Sequence, residues 1–163
     1  MMELKPITKE GIPRALEKIE RYRLLNEPAE AESICRDIIG IEPGHQKALV
    51  MLILTLSDQF SKGVPAREAS DLLSKLKDEY QRAYYRGIIL ERLAKAALER
   101  STHGGQFDAY EWLREAMESF EHAATLRPPG NDDSVLRWNA CVRTIQRYRL
   151  SPRGKEHAEP PLE

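Results

Sequence analysis

Apolar side chains recur at steps of three and four residues along nearly the whole chain, and the alternation typical of half-buried β-strands is absent. Steps of this size gather apolar side chains on one face of an α-helix, so the pattern predicts an all-helical protein. Segments rich in proline, glycine or asparagine divide the pattern into seven predicted helices. In order, these helices cover about residues 12–25, 28–40, 45–60, 66–76, 81–100, 108–127 and 132–150.

Two local signals set the predicted start of the sixth helix. Gly104 and Gly105 are adjacent, and two glycines in succession carry a large entropic cost inside a helix. Asp108 is followed three residues later by Glu111, a spacing similar to that of a capping box. The sequence therefore predicts that this helix begins at Asp108.

Three of the predicted helices share an internal spacing that begins with alanine. When Ala31, Ala69 and Ala116 are aligned, an apolar residue follows each alanine by four positions and another by seven. These residues are Cys35 and Ile38, Leu73 and Leu76, and Phe120 and Ala123. Pro43 and Pro128 close the first and third examples, and a proline there stops the helix and sets the turn into the next unit.

The helices upstream share a second spacing, with steps of four and then three residues. It consists of Ala15, Ile19 and Tyr22 in one helix, and of Ala83, Gly87 and Leu90 in another. Small residues at such positions let two helix axes approach closely, and the bulky residues that follow fit between neighbouring helices. The two spacings together indicate an internal repeat of helix pairs.

The repeat resembles the tetratricopeptide repeat, a helix–turn–helix unit of about 34 residues. The matching residues of the first unit are Tyr22, Ala31, Cys35, Ile38 and Pro43. Those of the third unit are Gly87, Leu90, Ala116, Phe120, Ala123 and Pro128. The second unit matches through Met51, Leu54, Ala69, Leu73 and Leu76 and has no closing proline.

The resemblance covers residues 12–150 and implies an all-α fold of antiparallel helix pairs. Three pairs would stack as a short right-handed solenoid, with the seventh helix as a cap. Residues 1–11 would form an N-terminal extension. Residues 151–163 are polar and rich in proline, which predicts a disordered tail. The final Leu162 and Glu163 are compatible with a cloning remnant.

Charge and composition narrow the range of partners. Lys and Arg number 25 and Asp and Glu number 26, so the formal net charge is −1. A nearly neutral chain has no global electrostatic attraction to nucleic acid or to a membrane surface. The longest apolar run, Ala48–Leu56, is too short to span a bilayer. No secretory signal is recognised, and Cys35 and Cys141 form no disulfide framework, so we expect a cytoplasmic protein.

Few residues fit a motif for catalysis, metal binding or phosphate binding. The four histidines are His45, His103, His122 and His157, and none has the spacing of a metal-binding motif. Gly104-Gly105 lacks the Lys and Ser/Thr of a phosphate-binding loop. No serine or cysteine lies in a recognisable nucleophile motif. We therefore expect a non-enzymatic protein without a catalytic site, a cofactor or a bound metal.

In the tetratricopeptide family, the first helix of each pair lines a concave groove. The resemblance implies that the groove residues here are Glu20, Arg23, His45, Thr55, Tyr84, Glu91 and Arg92. This set lacks the combination of Lys, Asn and Arg with which some relatives bind the terminal carboxylate of a peptide. Binding of that kind is therefore not expected.

The predicted seventh helix is rich in arginine. Trp138, Val142 and Ile145 share one face, and Arg143 and Arg147 lie on roughly the opposite face. The polar face suits the solvent-exposed end of a helical array. A second interpretation is a basic strip that docks an acidic peptide or a phosphate-bearing partner.

The features together favour a protein–protein interaction module that presents a concave helical groove to a peptide or helix. One alternative is self-association, with the groove or an exposed end occupied by a second copy. Another is RNA binding through the arginine-bearing last helix, for which affinity would fall steeply with salt.

Overall fold

A computed structural model describes residues 1–101 and 103–154 of the chain. Within these residues the protein contains seven α-helices and no β-strand, which confirms the all-helical prediction. The helices are α1 (Ile12–Leu24), α2 (Pro28–Ile41), α3 (Gln46–Ser57), α4 (Arg67–Leu72), α5 (Glu79–Arg100), α6 (Gly105–Leu126) and α7 (Asp133–Arg147). Short 3-10 turns cover Lys9–Gly11, Phe60–Lys62 and Leu73–Lys75.

Proline and helix-capping groups account for several helix starts. Pro13 and Pro28 lie at the first or second helical positions of α1 and α2, where the fixed φ of proline suits the helix and its missing N–H is not needed. His45 precedes α3, and its Nδ1 accepts a hydrogen bond from the backbone N–H of Ala48 at 3.1 Å. This bond satisfies one of the N–H groups that a helix leaves unpaired at its start.

The prediction of a continuous fourth helix through Leu76 is wrong. Helix α4 ends at Leu72, a 3-10 turn follows, and Leu76 adopts an extended conformation with ψ 131°. The Leu76 side chain is nevertheless only 1% exposed. Leu76 is therefore buried in the core although it lies outside the helix. Local helix propensity does not predict this end of the helix.

The predicted start of the sixth helix at Asp108 is also wrong. Helix α6 begins three residues earlier, at Gly105, and Gly104 precedes it with φ 82°. Glycine adopts this left-handed conformation without a steric penalty. Asp108 lies in the first turn of α6, where its negative charge is favoured by the helix dipole. Its carboxylate accepts a hydrogen bond from Arg153 at 3.4 Å rather than capping the helix.

Helices pack mainly against their neighbours in sequence. Each of the consecutive pairs from α1 to α4, and from α5 to α7, is in contact, and α5 and α6 share the most extensive contact. Helix α3 also contacts α1 and α5. Nine of the twelve residues of α3 are buried, as expected for a helix that is apolar on most sides. This neighbour pattern is compatible with stacked helix pairs.

The apolar core of the described residues forms two connected clusters. One cluster joins α1 to α4 and part of α5, and the other joins α5 to α7. Leu54 and Tyr85 pack against both clusters. The core of the described residues is therefore divided between two clusters that meet at Leu54 and Tyr85.

The aligned alanines lie in the interior, since Ala31, Ala69 and Ala116 are all 0% exposed. In the α5–α6 pair, a Cβ atom added to Gly87 would lie 2.5 Å from Cε1 of Phe120. Real Cβ atoms essentially never approach another atom so closely. The absence of a side chain at Gly87 is therefore what allows Phe120 to lie against the backbone of α5.

Candidate binding cleft

An open cleft lies between α1, α3 and α5, with a volume of about 650 Å³. Leu24, Pro28, Met51 and Ala96 contribute apolar surface to it. Its charged residues are Glu20, Arg23, Asp58, Arg92, Lys95 and Glu99. We call this feature the charged cleft.

Asp58 lines the charged cleft and joins its three helices. Nε of Arg23 donates to one carboxylate oxygen at 2.7 Å, and Nη2 donates to the other at 3.2 Å. Nη1 of Arg92 donates to the same carboxylate. Asp58 follows α3 directly, so this cluster links α1 and α5 through the end of α3.

The three side chains of this cluster are partly buried, with 24% exposure for Arg23, 20% for Asp58 and 29% for Arg92. Burial by itself would raise the pKa of Asp58, but the hydrogen bond and charge of Arg23 and the charge of Arg92 outweigh it. The pKa of Asp58 consequently lies below its ordinary value, and the carboxylate is ionised at neutral pH.

A second cluster of charges adjoins the cleft and links α5 to α7. Arg137 donates from Nη2 and Nε to the two carboxylate oxygens of Glu91, at 2.7 and 3.2 Å. Nζ of Lys95 lies 3.8 Å from Glu91. The Glu91 side chain is only 4% exposed, so Arg137 compensates a carboxylate that is nearly removed from water.

Two further polar contacts join the helices around the charged cleft. Glu20 pairs with Lys47 at 3.3 Å, and both residues precede the Arg23–Asp58 pair in their helices. Arg100 donates to the backbone carbonyl of Phe60 at 2.6 Å, and both residues follow the Arg92–Asp58 pair.

Ion pairs between α2 and α4 involve a different set of helices. Arg36 donates to Glu32 within α2 at 2.9 Å and to both oxygens of Glu68 on α4 at 2.9 and 2.8 Å. Gln59 donates to Glu32 at 2.9 Å. The odd-numbered helices are thus linked to one another by one set of polar contacts, and α2 is linked to α4 by another.

The structure brings together some of the residues that the sequence analysis assigns to a groove. Glu20, Arg23 and Arg92 line the charged cleft, and Glu91 belongs to the adjoining cluster. Thr55 is fully buried, and its hydroxyl donates to the carbonyl of Leu52 at 3.1 Å. The partners of Thr55 are therefore inside the protein.

The other predicted groove residues lie elsewhere. His45 caps α3 and lies 3.7 Å from Glu42. Tyr84 packs against the rings of Tyr80 and Phe120, each with a centroid distance of 5.8 Å. Burial raises the pKa of Tyr84 to about 12, so its hydroxyl is neutral at physiological pH.

The predicted features of α7 are partly visible in its packing. Arg143 and Arg147 are exposed, and Trp138 is half-buried against the second apolar cluster. Nε1 of Trp138 donates to Glu121 at 3.0 Å. The interpretation of this face of α7 as a basic docking strip stays a prediction. So does the alternative, in which it is the solvent-exposed end of the helical array.

Sequence analysis missed three charged residues of the cleft, Asp58, Lys95 and Glu99. Asp58 lies three residues after Thr55, soon after the apolar run Ala48–Leu56. A carboxylate next to such a run needs a cationic partner if it is buried, so its position was a usable signal. Lys95 and Glu99 are three and seven residues after Arg92, which places them near the same helix face.

The two thiols are removed from solvent. Cys35 and Cys141 are free and buried, and burial raises the pKa of each thiol to about 12. A thiol with such a pKa is protonated at neutral pH and is a poor nucleophile.

The described part of the chain offers neither a metal cluster nor a membrane-spanning helix. Residues 1–101 and 103–154 contain no group of three or more His, Cys, Asp or Glu side chains placed to hold a metal ion. Among the same residues, no helix combines the length and apolar character that crossing a bilayer requires. The predicted tail from residue 155 onward lies outside the described residues.

Comparisons of the chain with protein-family models, with curated proteins and with solved structures find no match.

Proposed function

We propose that this protein is a non-enzymatic interaction module built from tetratricopeptide-like helix pairs, and that its charged cleft binds a peptide segment or helix of a partner protein. The main observation in support is the open cleft between α1, α3 and α5. In it, the side chains of Arg23, Asp58 and Arg92 are fixed by hydrogen bonds to one another. A receptor surface that is ordered in advance loses little conformational freedom on binding.

The composition of the cleft supports a peptide ligand. Its walls combine apolar surface, such as Met51 and Ala96, with charged groups of both signs. A volume of about 650 Å³ is within the range of sites that enclose a few side chains. A peptide could place apolar groups on the walls and polar groups against the charges.

The helix packing supports the repeat architecture within this proposal. The aligned Ala31, Ala69 and Ala116 are fully buried, and Gly87 provides the close approach between α5 and α6. The two buried free thiols are compatible with a reducing compartment. The proposal therefore places the protein in the cytoplasm.

A steric block of the cleft tests this function. Ser61 is exposed and lines the cleft, so Ser61→Trp would obstruct it without disturbing the core. Ser70→Trp on the exposed surface of α4 is the matched control. Peptides selected from a random library on the wild-type protein should bind the Ser70→Trp variant normally and the Ser61→Trp variant at least about tenfold more weakly. Equal binding to both variants would contradict the proposal.

Self-association is a second candidate, favoured by exposed leucines near both ends of the helical array. Leu25 after α1 is 62% exposed, and Leu136 on α7 is 61% exposed. Exposed apolar groups can mark a contact surface. A dimer that persists at low micromolar concentration in sedimentation velocity, and that Leu136→Glu dissociates, would support this candidate. A monomer at all concentrations would exclude it.

A further inference from the structure

Two groups of ion-paired side chains, one in the cleft and one beside it, each hold two cations and one carboxylate. Arg23 and Arg92 share the single carboxylate of Asp58. Lys95 and Arg137 share the single carboxylate of Glu91. Each group therefore has two positive charges and one negative charge, and carries a net charge of +1.

The two arginines of the cleft retain unused hydrogen-bond donors. A guanidinium group has five N–H donors. Arg23 uses Nε and Nη2, and Arg92 uses Nη1, in bonds to Asp58. Within the described residues, Nη1 of Arg23 and Nε and Nη2 of Arg92 have no acceptor in a side-chain hydrogen bond. Because both side chains are partly buried, solvent screens their charge less than that of a fully exposed arginine.

Two further carboxylates, Glu20 and Glu99, also line the cleft. Glu99 follows Arg92 by seven residues, which is about 10 Å along a helix. Glu20 precedes Arg23 by three residues, and its carboxylate is already paired with Lys47. A second negative charge next to Glu99 would be repelled, so a uniformly acidic segment fits less well than one with a single acidic residue at its centre.

We infer that the segment bound in the charged cleft presents one internal Asp or Glu side chain to Arg23, Arg92 and Lys95, with neutral or basic residues on either side. This inference rests on the proposed function. The acidic side chain would accept hydrogen bonds from the unused guanidinium donors and neutralise the net positive charge of the group formed by Arg23, Asp58 and Arg92. A side chain fits better than a terminal carboxylate, because apolar and acidic residues also line the cleft and a continuing chain can contact them.

Selection and resynthesis of peptides tests the inference. A random-peptide library is panned on the wild-type protein, and the enriched peptides are measured by fluorescence anisotropy. We expect a shared Asp or Glu flanked by neutral or basic residues. Replacement of that residue by Asn or Gln should weaken binding about tenfold. Added salt should weaken the binding of the parent peptide more than the binding of the peptide with Asn or Gln. Amidation of the peptide C-terminus should have no effect.

Variants of the protein provide the reciprocal test. Lys95→Gln removes an exposed cation from the cleft and leaves Arg137 paired with Glu91. This substitution should weaken the binding of the acidic peptide about three- to tenfold. The affinity for the peptide with Asn or Gln in place of the acidic residue should be unchanged. Lys18→Gln, on the exposed surface of α1 outside the cleft, is the matched control and should change neither affinity.

The possible failures are distinguishable. If the enriched peptides lack an acidic residue but still lose binding with Ser61→Trp, the inference is wrong and the proposed function stands. If amidation abolishes binding, the recognised group is a terminal carboxylate and the inference is also wrong. If no peptide is enriched, or if Ser61→Trp has no effect, the proposed function itself is contradicted.

Discussion

At the scale of single residues, Gly87 shows how one missing side chain sets a helix contact. Phe120 is fully buried and lies where a Cβ of residue 87 would be, at 2.5 Å. The obstructing atoms belong to an aromatic ring enclosed by the core, so they cannot move away freely.

We therefore expect Gly87→Ala to lower the free energy of unfolding by about 1–3 kcal/mol, because the ring or the helix must shift. Gly40→Ala is the matched control, since Gly40 also lies in a helix but no atom lies within 4 Å of the place that an added Cβ would occupy. It should raise the stability by about 0.5–1 kcal/mol. Urea denaturation measures both, and equal effects of the two substitutions would contradict the assigned role of Gly87.

Asp58 is the residue that organises the charged cleft, and its loss should be measurable. Asp58→Asn removes the carboxylate shared by Arg23 and Arg92 and should cost about 1–2 kcal/mol of folding free energy at neutral pH. Asp71→Asn, on the exposed surface of α4, should change it by less than about 0.5 kcal/mol.

The effect of Asp58 should depend on pH in a defined direction. Because its pKa is lowered in the folded protein, its contribution is full above the ordinary value of 3.8 and is lost as the pH falls through the folded value. The stability difference between the wild type and Asp58→Asn should therefore be constant from neutral pH down to about pH 5 and shrink in more acidic solution. A difference that grows on acidification would show that Asp58 is not stabilised as a carboxylate.

At the scale of elements, periodicity predicted the helices better than their ends. Apolar steps of three and four identify all seven helices, because each helix must bury one face. The end of α4 was missed because burial of Leu76 decides it, and burial is a tertiary effect. The start of α6 was missed because Gly104 adopts φ 82° outside the helix while Gly105 begins it, so the glycine pair is a boundary and not an interruption.

Gly104 should consequently be sensitive to substitution. Gly104→Ala would place a Cβ in the left-handed region, which costs about 1–2 kcal/mol for a residue with a side chain. Gly44→Ala is the control, because Gly44 is exposed and nothing lies within 4 Å of an added Cβ. The melting temperature should fall for the first variant and change little for the second. An unchanged melting temperature for Gly104→Ala would contradict the described connection between α5 and α6.

The candidate site was predictable only in part, for a related reason. The resemblance to the tetratricopeptide repeat implied that α1, α3 and α5 share a surface, and Glu20, Arg23 and Arg92 do line one cleft. The rotation of each helix about its own axis was not available from the sequence. Thr55 therefore points into the core, and Asp58, one turn later, faces the cleft.

At the scale of the whole molecule, α5 belongs to both apolar clusters and Leu54 and Tyr85 touch both. Cys35 lies in the first cluster and Cys141 in the second, so each thiol reports on one part of the core. Both thiols should react slowly with a thiol reagent in the native protein, since burial raises their pKa to about 12.

Because α5 is shared, we expect the two thiols to become reactive at the same urea concentration in pulse labelling followed by peptide mass spectrometry. Labelling of Cys35→Ser and Cys141→Ser single variants provides the control for each signal. Exposure of Cys141 at a clearly lower urea concentration than Cys35 would mean that α6 and α7 unfold independently of the rest.

The central claim is that the surface shared by α1, α3 and α5 is where a partner segment binds. Chemical-shift mapping of the ¹⁵N-labelled protein with the tightest selected peptide tests it directly. The shifts should concentrate around Arg23, Asp58 and Arg92, with Ser61 at the edge of the affected surface. Shifts confined to α7 around Arg143 and Arg147, or no shifts at saturating peptide, would contradict it.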